Sequence, residues 1–252
     1  MIKLVTILFC CATLFTVSET AAQTVKKKVY KKTTSAKTVK AKKPVAKVQT
    51  APILISADKS IKVKITTDSG TLVVKLYDST PLHRDNFVKL VKEKFYDSLL
   101  FHRVIREFMV QGGDPNSKNA PAGTMLGNGG DNMARIPAEF RTTLFHKRGV
   151  LAAARDGNVE KASSACQFYI VQGKKYTEEE LKMMEPRMNR KFTAAERLAY
   201  KTVGGTPFLD QNYTVYGEVI SGMNVIDKIA GAEKDQSDRP RSDIRMKMEL
   251  MK

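Results

Sequence analysis

Arg103, Phe108, Met109 and Gln111 stand close together in the stretch Phe101-His102-Arg103-Val104-Ile105-Arg106-Glu107-Phe108-Met109-Val110-Gln111-Gly112-Gly113-Asp114. A cation, two large apolar groups and an amide in so short a space could line one pocket, greasy at one end and hydrogen-bonding at the other. If Phe108 to Gln111 is extended, Phe108 and Val110 face one way while Met109 and Gln111 face the other. Such a pocket suits a proline ring and the amide bond before it. Rotation about that bond meets a barrier of ~18–20 kcal/mol, because amide conjugation must be broken. No nucleophile or metal is needed. The site must hold the ring, favour the twisted amide and draw the nitrogen lone pair out of conjugation. A preorganised donor aimed at the prolyl nitrogen does the last of these and is typically worth ~3–4 kcal/mol. A flat, permanently charged guanidinium serves better there than a lysine. Taken alone, Arg103 would read as a surface arginine in a salt bridge, and Phe108 and Met109 as ordinary core.

Short strands must carry these residues. Ile61, Val63 and Ile65 alternate with polar neighbours, Asp68-Ser69-Gly70 supplies a turn, and Thr71 to Tyr77 alternates again, which predicts a β-hairpin. Thr80 before Pro81 is an N-cap and first-turn signal for an amphipathic helix built on Phe87, Leu90 and Val91 and ending near Phe95. Further extended segments are expected at 100–104, 108–111, 149–154, 167–171 and 213–219. A helix over 223–230 and a last alternating strand through Ile244, Met246, Met248 and Leu250 follow. Many short strands with few helices and glycine-rich loops fit an antiparallel β-barrel. Residues 174–206 break that rhythm. They carry two capping-box spacings, Thr177 with Glu180 and Thr193 with Glu196, with Pro186 set to interrupt the first helix and Gly204-Gly205 to stop the second. They predict a helical hairpin inserted in a loop, either a contact surface or a solvated decoration.

The Arg103–Asp114 stretch resembles the signature of the cyclophilin-type peptidyl-prolyl isomerases, and the likeness continues downstream. Gly149-Val150-Leu151-Ala152-Ala153-Ala154-Arg155 is similar to the family's Gly-x-Leu-Ser-Met-Ala-(Asn/Arg) strand, and Cys166-Gln167-Phe168-Tyr169-Ile170 to its Ser-Gln-Phe-Phe-Ile strand. Phe208-Leu209-Asp210 and Tyr213-Thr214-Val215-Tyr216-Gly217 resemble its Trp-Leu-Asp and His-x-Val-Phe-Gly elements. The resemblance, over about residues 60–250, implies a mainly β fold: a closed eight-stranded antiparallel barrel capped by two α-helices, here with the inserted hairpin. It implies Arg103 as the catalytic residue. It implies substrate binding by Phe108, Met109, Gln111, Ala154, Arg155, Gln167, Tyr169, Phe208, Leu209 and Tyr213. Three positions depart from the pattern. Tyr169 replaces a phenylalanine, and its hydroxyl needs a partner. Phe208 stands where many members have a tryptophan that donates to cyclosporin, so weak cyclosporin binding is expected. Tyr213 replaces a frequent histidine.

The formal net charge of +17 is uneven, with +10 of it in residues 1–50. Met1-Ile2-Lys3, the apolar run Leu4 to Val17 and the small residues Thr20-Ala21-Ala22 read as a signal peptide over 1–22, too short for a comfortable membrane span. A buried helix, or a lipoprotein acylated at Cys10 or Cys11, are the other readings; neither cysteine follows the small residue that acylation expects. Export, most simply to the periplasm, would leave Cys166 as the only thiol, expected to be buried and inert. Residues 23–55 read as a disordered lysine-rich linker before an isomerase domain over 56–252. Its ten lysines from Lys26 to Lys47 serve either as a solvated tether or as a weak polyanion contact. No specific nucleic acid is expected. His83, His102 and His146 lack metal-ligand spacing, and Gly127-Asn128-Gly129-Gly130 lacks the lysine of a phosphate loop, so neither metal nor cofactor is expected and the loop is placed beside the substrate groove. The expected partners are proline-containing polypeptides, met by a monomer. Two rivals remain: a proline-segment binding module or chaperone with little turnover, and a nucleic-acid-associated protein working through residues 26–47.

Overall fold

The computed structural model describes residues 60–251; the signal-peptide and linker expectations lie outside them. The chain opens with the hairpin β1 (Lys62–Thr67) and β2 (Gly70–Leu76). Helix α1 (Pro81–Lys92) leads to β3 (Phe101–Ile105) and β4 (Met109–Gly112), then β5 (Val150–Ala153) and β6 (Phe168–Val171). Helices α2 (Glu178–Met188) and α3 (Ala194–Thr202) precede β7 (Val215–Ser221), α4 (Met223–Ala230) and β8 (Met246–Leu250). The strands form one antiparallel sheet in the order β3-β4-β6-β5-β7-β2-β1-β8. Between the outer strands there is an isolated bridge, Leu100 to Arg245, in place of a ladder. The architecture is therefore a mainly β half-barrel with four helices where a closed barrel capped by two was expected, since among the described residues the outer strands β3 and β8 share no ladder.

The period of two sorts the side chains into two cores. On β5, Leu151 and Ala153 join the main cluster with Phe87, Phe168 and Ile226, while Val150 and Ala152 point into a second cluster. On β6, Phe168 and Ile170 go to the first and Tyr169 and Val171 to the second. Every residue of these two strands is buried, which is why each reads as an unbroken apolar run. A third cluster of Leu181, Phe192 and Tyr200 packs α2 with α3.

Two local expectations are corrected. Thr80 sits at the N-cap of α1, but its side chain makes no cap bond. The cap comes from Glu139, whose Oε1 accepts from the Leu82 N–H at 3.2 Å and whose Oε2 accepts from the His83 N–H at 3.0 Å. The first turn of α1 has no acidic residue of its own, and a distant carboxylate complements its exposed N–H groups and dipole. Pro186 does not interrupt α2, which runs through it to Met188 and ends at Asn189 in the left-handed conformation (φ 48°). At the third residue from the helix end, the proline costs a backbone bond within a single fraying turn. Both expected capping boxes are present, at Thr177 with Glu180 and at Thr193 with Glu196.

Glu139 also bonds the buried His83 ring, Nδ1 to Oε2 at 2.7 Å. Glu139→Ala therefore removes a helix cap and leaves a buried imidazole nitrogen without its partner. It should lower unfolding free energy by ~2–4 kcal/mol in urea titrations, against a clearly smaller loss for Thr80→Ala.

Candidate active site

The site is a row running across the strands. In the β3–β4 ladder Arg103 lies opposite Gln111, in the β4–β6 ladder Gln111 lies opposite Tyr169, and in the β6–β5 ladder Tyr169 lies opposite Ala152. Residues far apart in sequence thus become lateral neighbours on one face of the sheet. A cavity of about 110 Å³ opens over this row, lined by Arg103, Phe108, Met109, Gln111, Ala154, Arg155, Tyr169, Leu209 and Tyr213. A second cavity, about 290 Å³, shares Gln111, Ala154 and Arg155 with it and extends along the Gly127–Gly130 loop to Gln167. The glycine-rich loop lines this second cavity through Gly127, Asn128 and Gly130. Among the named site residues, Phe208 alone lines neither cavity. It is 46% exposed, with its ring centroid 5.5 Å from that of Phe108.

Phe108 departs from the alternation expected of it. It lies before β4, in a turn where its N–H bonds the Ile105 carbonyl and Glu107 takes φ 60°. Outside the ladder the two-residue period does not bind it, and it lines the same cavity as Met109 and Gln111.

Hydrogen bonding gives the row a direction. Arg103 Nη1 donates to Gln111 Oε1 at 3.3 Å, and Gln111 Nε2 donates to Gln167 Oε1 at 3.1 Å. Gln167 Nε2 then donates to the carbonyls of Gly127 and Gly129, each at 2.9 Å. One end is a side chain that can only donate and the other a pair of groups that can only accept, so both amides are held in one orientation. Arg103 is half-exposed, with Nε 3.9 Å from Asp238 Oδ2. On the facing side, Arg155 Nε donates to the Asn212 carbonyl at 2.7 Å, and its guanidinium lies 4.8 Å from the Tyr213 ring centroid.

The sequence pattern described as "Cyclophilin type peptidyl-prolyl cis-trans isomerase/CLD" matches residues 62–249. The "Putative peptidyl-prolyl cis-trans isomerase" of Staphylococcus haemolyticus is 35% identical over 190 residues, covering 74% of this chain and 89% of that protein. A protein of the same name from Staphylococcus epidermidis is 36% identical with the same coverage. The chain belongs to the cyclophilin-type peptidyl-prolyl cis-trans isomerases. The "Putative bifunctional phosphatase/peptidyl-prolyl cis-trans isomerase" of Streptococcus pyogenes is 36% identical over 188 residues, and the chain spans only 37% of its length. Among solved structures, a Cryptosporidium parvum cyclophilin shares the fold at TM-score 0.56 and 22% identity, over 77% of this chain and 98% of that one.

In this cyclophilin the Tyr169 hydroxyl has its partner. Its oxygen is 2.9 Å from His146 Nε2, and burial pushes the phenol well above its usual range, so it remains a hydroxyl. Sequence reasoning set His146 aside as structural and missed Asp210, Arg190 and Tyr200, which gather behind it. The two halves of the cluster lie far apart in the chain, and only the fold joins them. Cys166 is buried as expected, its thiol pushed up by burial. Among the described residues no group of three or more His, Cys, Asp and Glu is placed to hold a metal ion.

His102, next to Arg103, is 3% exposed, and neither ring nitrogen has a hydrogen-bond partner in the protein. Burial lowers its pKa from 6.5 to about 4, with Asp114 and the nearby Leu100 backbone opposing and Arg103 and Arg239 adding to the shift. The unfolded chain takes up this proton near pH 6.5, and the folded chain resists it until about pH 4. Stability is then complete above pH 6.5 and falls as pH drops toward 4, by on the order of 3 kcal/mol from this residue. Urea titrations across that window should show a shallower slope in His102→Gln than in the wild type.

Proposed function

We propose that the 110 Å³ cavity receives the proline ring of a polypeptide and that Arg103 donates to the prolyl nitrogen as the amide twists. The observation that carries this is the Arg103–Gln111–Tyr169 row, which sets a permanently charged donor in the same cavity as the apolar side chains of Phe108, Met109 and Leu209. Donation to the nitrogen competes with its conjugation to the carbonyl and lowers the barrier to rotation. Gln111 in its fixed orientation, Ala154, Arg155 and Gln167 would hold the flanking backbone along the adjoining cavity. Tyr169, Leu209 and Tyr213 would wall and floor the pocket, and Phe208 would cover its rim beside Phe108. A Cryptosporidium parvum cyclophilin solved with the dipeptide Ala-Pro supports a small prolyl ligand for this fold.

Residues 1–22 are taken as an export signal, so the clients would be proteins folding outside the cytoplasm. A mature N-terminus near Gln23 in the periplasmic fraction is the expected finding. Residues 174–206 are taken as an addition to the minimal cyclophilin fold. Lys26–Lys47 remain candidates for a tether or a weak polyanion contact.

Exchange spectroscopy on an Xaa-Pro peptide tests the central reading. Wild type should speed exchange, and Arg103→Ala should lower kcat/KM by ~100- to 1000-fold, the usual loss for one preorganised donor. A wild type no faster than buffer would reject the enzyme reading in favour of a binding module. The Phe208 side chain has no N–H to give, so cyclosporin should bind weakly. Phe208→Trp, which restores a donor, should tighten binding by about fivefold or more in calorimetric titration, as one recovered hydrogen bond would.

A further inference from the structure

Behind the pocket wall lies a chain of hydrogen bonds that ends in the two-helix segment. The Tyr169 hydroxyl meets His146 Nε2 at 2.9 Å, and His146 Nδ1 meets Asp210 Oδ1 at 3.0 Å. Asp210 Oδ1 also accepts from the His146 backbone N–H at 2.8 Å. Its other oxygen, Oδ2, accepts from Arg190 Nη1 at 3.0 Å and from the Tyr200 hydroxyl at 2.7 Å. Arg190 follows α2 and is paired with Glu196 of α3, and Tyr200 lies on α3. The His146 and Asp210 side chains are 1% and 0% exposed.

Each bond constrains the next. Asp210 uses both oxygens twice, which fills the usual capacity of a carboxylate and leaves it one position. A carboxylate can only accept, so the bond at Nδ1 places a proton there, and in that tautomer Nε2 is an acceptor. Nε2 then accepts a hydrogen bond from the Tyr169 hydroxyl, which fixes the ring that faces the cavity. Surface decoration has no need to reach a fully buried carboxylate.

We propose that the α2–α3 segment is a positioning element for the proline pocket, acting from Arg190 and Tyr200 through Asp210 and His146 onto the Tyr169 hydroxyl. Arg190, Tyr200, Asp210 and His146 are positioning residues, and none of them lines the cavity. The inference rests on the reading of that cavity as the proline site. It gives the segment a task inside the molecule.

A double-mutant cycle tests it with Tyr200→Phe, Tyr169→Phe and the double variant in the full chain. Peptide Kd, KM and kcat are read by titration and exchange spectroscopy, and stability by urea. Tyr200→Phe should lower kcat/KM roughly fivefold, mostly through KM, and should have less than about a twofold effect once Tyr169 is phenylalanine. Ring 15N shifts of His146 should show the Nδ1–H tautomer in both proteins, with the Nε2 shift displaced in Tyr200→Phe as the bond to the Tyr169 hydroxyl loosens. Equal effects of Tyr200→Phe in both backgrounds, or lost stability with unchanged KM and an unchanged His146 Nε2 shift, would overturn the proposal. A wild type that binds the peptide but does not speed its exchange defeats the isomerase reading alone, and the coupling in Kd then still decides this one. A wild type that does not bind the peptide defeats both.

Discussion

Strands β5 and β6 are buried on both faces, and the site depends on that constraint. A strand with water on one side can slip by a residue and expose its mistake to solvent. Here a slip would drive Phe168 and Ile170 into the space of Tyr169 and Val171, and both cores would be misfilled at once. The register is therefore fixed by packing volume on two sides. A fixed register on β6 is what sets Tyr169 opposite Gln111. The polar row inherits its precision from the apolar cores beneath it, since side chains carried by rigid strands are held more tightly than those on loops.

On that frame, direction is supplied by groups that cannot reverse roles. Amides and imidazoles can turn over and exchange donor for acceptor, which would blur a binding surface. The glutamine pair is held between Arg103, which only donates, and the Gly127 and Gly129 carbonyls, which only accept. His146 is held by Asp210 in the same manner. Both devices place an unambiguous partner at the end of an ambiguous chain. Buried polar networks of this kind stabilise when every member is satisfied and cost heavily when one is missing.

Most of the frame was legible in the sequence because period and spacing are local. The hairpin from Ile61 to Tyr77, the alternation from Ile244 to Leu250 and both capping boxes are written in neighbouring residues. The motif residues were legible through resemblance, and the cavity gathers nearly all of them. What escaped was non-local or out of phase. Thr80 carried a convincing cap signal, yet Glu139 took the role from a loop that only the tertiary fold brings near. Phe108 was counted into a strand that begins one residue later, so its phase was misread. Tyr169 announced that its hydroxyl needed a partner, but the partner's own support comes from Arg190, Tyr200 and Asp210. No window of sequence contains that set.

The strand order has a consequence for how the molecule comes into being. The first strand of the sheet, β1, has β2 on one side and β8 on the other, and β8 is the last described element to be synthesised. While the chain emerges, β1 presents an unpaired edge that nothing yet made can cover. Contacts this distant also carry the loop-closure cost that slows folding. The sheet thus cannot be completed until translation has passed Leu250. The last ladder to form is one that joins the two ends of the described chain, and the sheet is finished only when the whole domain has been made.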